Sequence, residues 1–203
     1  DNTAVSYSLV SNTTGSNLVA VGRHALGANT TGERNTSVGK SSLAANTTGS
    51  LQTALGFGAL ANSTTANDNT AVGYEALNSN TTGLMNIGIG SSALAANTTA
   101  NHNTAIGVHA MVSNTTGYHN VAIGNYALDA NTNAHSNTAI GYNAMGANTT
   151  GYNNTAVGKN ALDAITDGIR CAAFGMDALT ANTANRNTGL GWQAGLSNTT
   201  GEQ

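Results

Sequence analysis

Proline is absent from these 203 residues, cysteine occurs once, and Asp, Glu, Lys and Arg together supply only 7%. Each shortage excludes something. A single thiol, Cys171, rules out an internal disulfide framework, and no Cys/His set has zinc-ligand spacing. Six basic against nine acidic residues, for a net charge of −3, leave no basic stripe for nucleic acid. No apolar run approaches the roughly 18 residues of a membrane helix, so no membrane insertion is expected of this segment. Aromatic residues make up 4%, too few for an ordinary enzyme core. Low charge would also suit a disordered chain, but disorder favours Pro, Glu and Lys and avoids β-branched residues, which are plentiful here.

What remains is Gly, Ala, Asn, Thr and Ser arranged as a tandem array. Twelve copies of one motif of about seventeen residues start at positions 2, 18, 35, 52, 69, 86, 103, 120, 137, 154, 171 and 187. The copies from Leu18 to Arg170 keep strict register; the first and eleventh are one residue short. The array occupies 1–203 as a single unit. It begins and ends inside a repeat with no charged and apolar leader, which reads as a piece of a longer polypeptide.

Each column of the repeat has a physical reading. The fourth holds Val21, Val38, Leu55, Val72, Ile89, Ile106, Ile123, Ile140, Val157 and Phe174, and is never polar. On a strand of period two it shares a face with the Thr-rich second column, so both are expected to point inward as the core row. The ninth column is Leu or Met and supplies a second apolar row. The fifth is Gly in every copy but the first, suiting a positive φ or a close backbone approach. The Asn-Thr-Thr-Gly of columns twelve to fifteen is turn chemistry. One such motif cannot bury its apolar residues alone, so the copies must stack, strand on equivalent strand, into an all-β parallel β-roll, a β-solenoid of about twelve rungs. The third column, Ala20, Ala54, Ala71, Gly88, Ala105, Ala122, Ala139 and Ala156 among others, is uniformly small and is expected to point away from the core. Either the cross-section is so thin that both faces are internal, or, the reading favoured, small residues let another subunit approach around a symmetry axis.

The run Asn-Thr-Ala-Val/Ile-Gly-x-x-Ala-Leu, as at Asn69–Leu77, resembles the Ser-Val-Ala-Ile-Gly repeats of the YadA-like heads of trimeric autotransporter adhesins, also called Hep/Hag repeats. It is also similar to the Gly-Tyr-x-Ala-Leu…Asn-Thr-Thr-Gly arrays of phage tail-fibre and bacterial surface-fibre proteins. The likeness covers essentially the whole chain, although the Asn-Thr-Thr-Gly loop makes this repeat longer than the adhesin one. It implies a left-handed roll, a homotrimer, an extracellular place on a bacterial surface or virion fibre, and adhesion to a host-surface protein or glycan.

Candidate chemistry is sparse. Asn rows in the first and twelfth columns suit structural amide ladders. The sequons at Asn12, Asn29 and Asn80 would go unmodified in a bacterial or phage fibre. Cys171 stands in the first Asn row as a small substitute. His102 and His119 share a column in adjacent rungs with His135 one column earlier in the next, a group that suits solvated loop histidines better than a metal site. Tyr74, Tyr142 and Trp192, in the variable sixth column, are weak candidates for surface binding. Glu75, Asp129, Asp163, Asp167 and Asp177 are scattered, and no paired carboxylates, nucleophile with base, or phosphate loop can be assembled from them, so no catalysis and no cofactor or metal are expected. The expected role is a non-enzymatic, rod-like segment of a trimeric adhesin or tail fibre. The alternative is an ice-binding solenoid with Thr arrays, disfavoured because the second-column Thr is read as inward and the Thr-Thr pairs sit in a turn. A solenoid polysaccharide lyase would need a charged cluster on one face, and none is visible.

Overall fold

The computed structural model describes residues 1–201. Its twelve strands are β1 (Asn2–Val5), β2 (Leu18–Val21), β3 (Thr36–Val38), β4 (Thr53–Leu55), β5 (Thr70–Val72), β6 (Ile87–Ile89), β7 (Thr104–Ile106), β8 (Val121–Ile123), β9 (Thr138–Ile140), β10 (Thr155–Val157), β11 (Ala172–Phe174) and β12 (Thr188–Leu190). They form one parallel sheet in sequence order, a β-solenoid with equivalent columns in register, as in Thr53↔Thr70, Ala54↔Ala71 and Leu55↔Val72. Both short repeats are absorbed without slipping the sheet, since Asn2 pairs with Leu18 and Ala172 with Thr188.

Thr-Ala-Val/Ile favours strand through its β-branched members, and the strand lasts only until the fifth-column glycine. That glycine has φ of 114–140° from Gly22 to Gly191. A Cβ on Gly56 would also lie 2.7 Å from the carbonyl carbon of Gly73 in the next rung, so conformation and stacking demand glycine independently. Three further positions are left-handed without being glycine in most rungs: in the fifth, Glu75, Leu77 and Met85 have φ of 53°, 51° and 56°. A left-handed L-residue costs about 1–2 kcal/mol. The cost is offset because each such residue turns its N–H along the stack: Glu75 donates to Phe57 O, Leu77 to Ala93 O and Met85 to Asn67 O. Hydrogen bonding between rungs therefore continues round the corners.

Burial reverses the assignment of strand faces. The third column points into the solenoid: Ala20, Ala54, Ala71, Ala105, Ala122, Ala139 and Ala156 are buried in one core with the ninth-column Leu and Met and the eighth-column Ala, and Gly88 is buried beside them. The expected core row of Val21, Val38, Leu55, Val72, Ile89, Ile106, Ile123, Ile140, Val157 and Phe174 lies on the outer face, half-buried or exposed, and the second column lies there with it. The physical reason is room. A Cβ on Gly88 would sit 3.2 Å from Leu77 Cγ, and one on Gly189 only 2.8 Å from Leu179 Cγ, so the interior accepts nothing much larger than Ala opposite the ninth column. Thinness accounts for the small column, and a partner is not needed to explain it.

Candidate functional site

The interior polar rows are structural. In the twelfth column, Asn46 Nδ2 donates to Asn29 Oδ1 at 2.8 Å and to Gly49 O at 3.0 Å, and Asn97 repeats this with Asn80 and Ala100. In the first column the amide ties backbone instead: Asn103 Nδ2 donates to Gly117 O at 2.8 Å, and Asn103 Oδ1 accepts the N–H of Asn120 at 3.0 Å. Burying an amide is favourable only when it is bonded in this way. The twelfth-column ladder breaks between Asn131 and Asn148, whose Oδ1 atoms both lack a partner, and Ile165 takes the column's next place. Asn29 and Asn80 are buried with their amides engaged, so the fold leaves those sequons no room for a glycan; Asn12, near the open end, is partly exposed. Cys171 is buried, with Sγ 3.1 Å from Ala184 O, filling the place of an Asn.

The outer face of the sheet carries the second and fourth columns of all twelve strands. It holds Thr, Val, Ile, Leu, Phe and Ala, and no charged residue. Beside it runs the sixth column, where Phe57 and Tyr74 stack at 5.5 Å with Lys40 Nζ over the Phe57 ring, and Tyr142 meets Tyr126 of the seventh column edge-on. Tyr74, Tyr142 and Trp192 are 53%, 52% and 68% exposed, in rungs too far apart to form one site. The Tyr74 hydroxyl is held above the usual tyrosine pKa by its hydrogen bond to Glu75 and by that carboxylate's charge.

Along the sixteenth and seventeenth columns the structure joins more than spacing suggested. His102 and His119 stack at 4.8 Å, Tyr118 and His135 at 4.9 Å, and His135 and Tyr152 at 5.0 Å, while Tyr118 meets His119 edge-on. Spacing groups the histidines and places Tyr118 and Tyr152 in a variable, solvent-facing column; it does not show that Tyr118 joins His119 to His135 or that Tyr152 extends the stack. Among the described residues no group of three His, Cys, Asp or Glu side chains is placed to hold a metal ion.

Acidic residues stay apart from this ladder. Asp129 and Asp163 occupy the tenth column two rungs apart. Burial raises both carboxyls above the usual range; the Asn143 amide, 2.8 Å from Asp163 Oδ1, opposes the rise at Asp163, and the Asp129 charge adds to it. Asp177 accepts from Asn160 Nδ2 at 3.0 Å. No nucleophile stands beside a base in these groupings. A cleft at the last rung, between Leu179, Arg186, Asn187, Thr188 and Asn198, holds no carboxylate, imidazole or thiol in its lining. Comparison with models of protein families, with curated proteins and with solved structures finds no match for this chain.

Proposed function

We propose that this chain is a non-enzymatic, rod-like segment of an extracellular surface fibre or adhesin, in which copies associate through the outer faces of their sheets. The observation that carries it is the outward Val/Ile column. A row of large apolar side chains, never polar in twelve rungs and continuous along the stack, is unusual on a surface facing only water. By strand spacing and rise the face measures about 58 by 10 Å, the same order as the ~800 Å² per partner of a stable interface. A trimer, as the adhesin resemblance implies, would place three such faces around one axis. Sedimentation of the chain and of an Ile106→Glu/Ile123→Glu variant tests this. The wild type is expected as a trimer and the variant as a folded monomer; a wild-type monomer at tens of micromolar overturns the reading.

A second reading gains from the same face. Thr36, Thr53, Thr70, Thr104, Thr138 and Thr155 stand outward beside the Val/Ile column in a flat, regular array, which removes the objection that these threonines point inward. Flat Thr arrays on solenoids can order water, so ice binding becomes the reading if the monomer shows thermal hysteresis and ice-crystal shaping.

A further inference from the structure

The ladder on the opposite edge of the rung lies outside the sheet face, so what it binds is independent of self-association. Its histidines at 102 and 119 have a backbone reason to be there, since both positions are left-handed, with φ of 58° and 56°, a region where Asn, Asp and His are enriched. That reason does not reach Tyr118, His135 and Tyr152, whose positions are not left-handed.

A second observation concerns the backbone. Where the sixteenth column is Asn, that side chain can accept the N–H of the same column one rung earlier: Asn67 Oδ1 from Ser50, Asn101 Oδ1 from Leu84 and Asn185 Oδ1 from Ile169, at 2.6–2.8 Å. Through the aromatic stretch no such acceptor exists, and the N–H groups of Asn101, Tyr118, His135 and Tyr152 have no partner among the described residues. Four free donors in consecutive rungs thus accompany three imidazoles and two phenols. Charge points the same way. From Asn101 to Arg186 these two columns contain His102, His119, His135, Arg170 and Arg186 and no carboxylate; the acids near them are Asp167 in the adjoining turn and Asp68, two rungs before His102 in the same column. Beside them the fourteenth-column Thr99, Thr116 and Thr150 are exposed, with hydroxyls that bond no protein atom. The stacked rings cover one another's faces, which leaves their N–H and O–H groups for hydrogen bonding and disfavours stacking against a neutral sugar.

We propose that this edge is a binding strip for a linear acidic polysaccharide lying along the rod, its anionic groups met by imidazole, guanidinium and backbone N–H donors repeating roughly every 4.8 Å. Arg170 and Arg186 give the strip fixed positive charge at any working pH, so attraction for a polyanion weakens with added salt.

The test is affinity electrophoresis in gels carrying polygalacturonate, at about pH 5.5 and about pH 8. The variants are His102→Asn/His119→Asn/His135→Gln, which keeps left-handed-tolerant residues at 102 and 119, and Lys40→Gln/Lys159→Gln as a control on the other edge. Retardation of the wild type is expected, and it should fall about tenfold with added salt. It should vanish in the histidine variant and persist in the lysine control. As a readout that needs no variant, polygalacturonate should shift the imidazole proton resonances of His102, His119 and His135 and leave those of His24 and His109 in place. The proposal is overturned by absent retardation at both pH values, by equal retardation of the two variants, by equal binding to neutral dextran or a single-stranded oligonucleotide, or by unchanged imidazole resonances.

Discussion

Gln52 and Ser63 replace two buried asparagines of the fourth rung as a matched pair: Ser63 Oγ donates to Gln52 Oε1 at 2.9 Å, and Gln52 Nε2 donates to Asn46 Oδ1 at 2.9 Å. The extra methylene of Gln carries an amide from the first column across the core into the gap left by the shorter serine, and joins Ser63 to Asn46 in the twelfth-column row.

This coupling is measurable. Gln52→Asn alone strands Ser63 Oγ and Asn46 Oδ1 and should cost about 1–3 kcal/mol, the penalty of unpaired buried polar groups. Gln52→Asn with Ser63→Asn restores the arrangement of the neighbouring rungs and should return most of it. Denaturant unfolding of the four proteins should give a coupling energy of about 1–2 kcal/mol; additivity within about 0.5 kcal/mol would show that the two sites are independent.

The orientation of the strands separates two neighbouring residues in β7. Ala105→Val adds methyls inside a core with no room and should destabilise by about 1–3 kcal/mol. Ile106→Thr acts on the outer face and should change the stability of the monomer by only about 0.5 kcal/mol or less. Reversed effects in thermal unfolding at low protein concentration would mean that the sheet faces the other way.

Leu51 is exposed and left-handed, with φ of 60°. Asparagine tolerates that region better than leucine, so Leu51→Asn should stabilise by about 1 kcal/mol. An unchanged or lowered melting temperature would contradict the backbone geometry at this corner.

Asp163 provides a pH test. Its folded carboxyl titrates above the usual range, mainly through burial, so the favourable, protonated form is complete below the unfolded carboxylate pKa and its contribution is lost as pH rises through the raised folded value. Asp163→Asn, which can still accept from Asn143, should therefore raise the melting temperature at neutral pH and lose that advantage as pH falls below the carboxylate range. A difference independent of pH would place the effect elsewhere.

Much of this was written in the columns. The period set the number and spacing of rungs, the fifth-column glycines marked the bend, and the Asn rows announced buried amides, because a repeat must satisfy the same backbone and the same neighbours in every copy. The left-handed corners were also legible in part: the seventh and seventeenth columns collect His24, Asp68, His102, Asn153, Asn160 and Asp177, residues that accept positive φ, a pattern easily taken for exposed polarity alone. The left-handed Leu and Met of the ninth column gave no such sign, since their conformation is imposed by the stack.

Which face of the strand is inside lay beyond the sequence. A period of two says that Thr70 and Val72 share one side and Ala71 takes the other; it does not say which side is enclosed. Hydrophobicity argued for Val72, but volume decided for Ala71, because Leu77 turns into the same narrow interior and leaves space only for a methyl group. The joining of Tyr118, His119, His135 and Tyr152 into one ladder likewise depends on the stacking of rungs. The sequence by itself determined that this chain stacks; the tertiary structure decided what the stack encloses and what it presents, since that is settled by the space left inside a rung once its corners have closed.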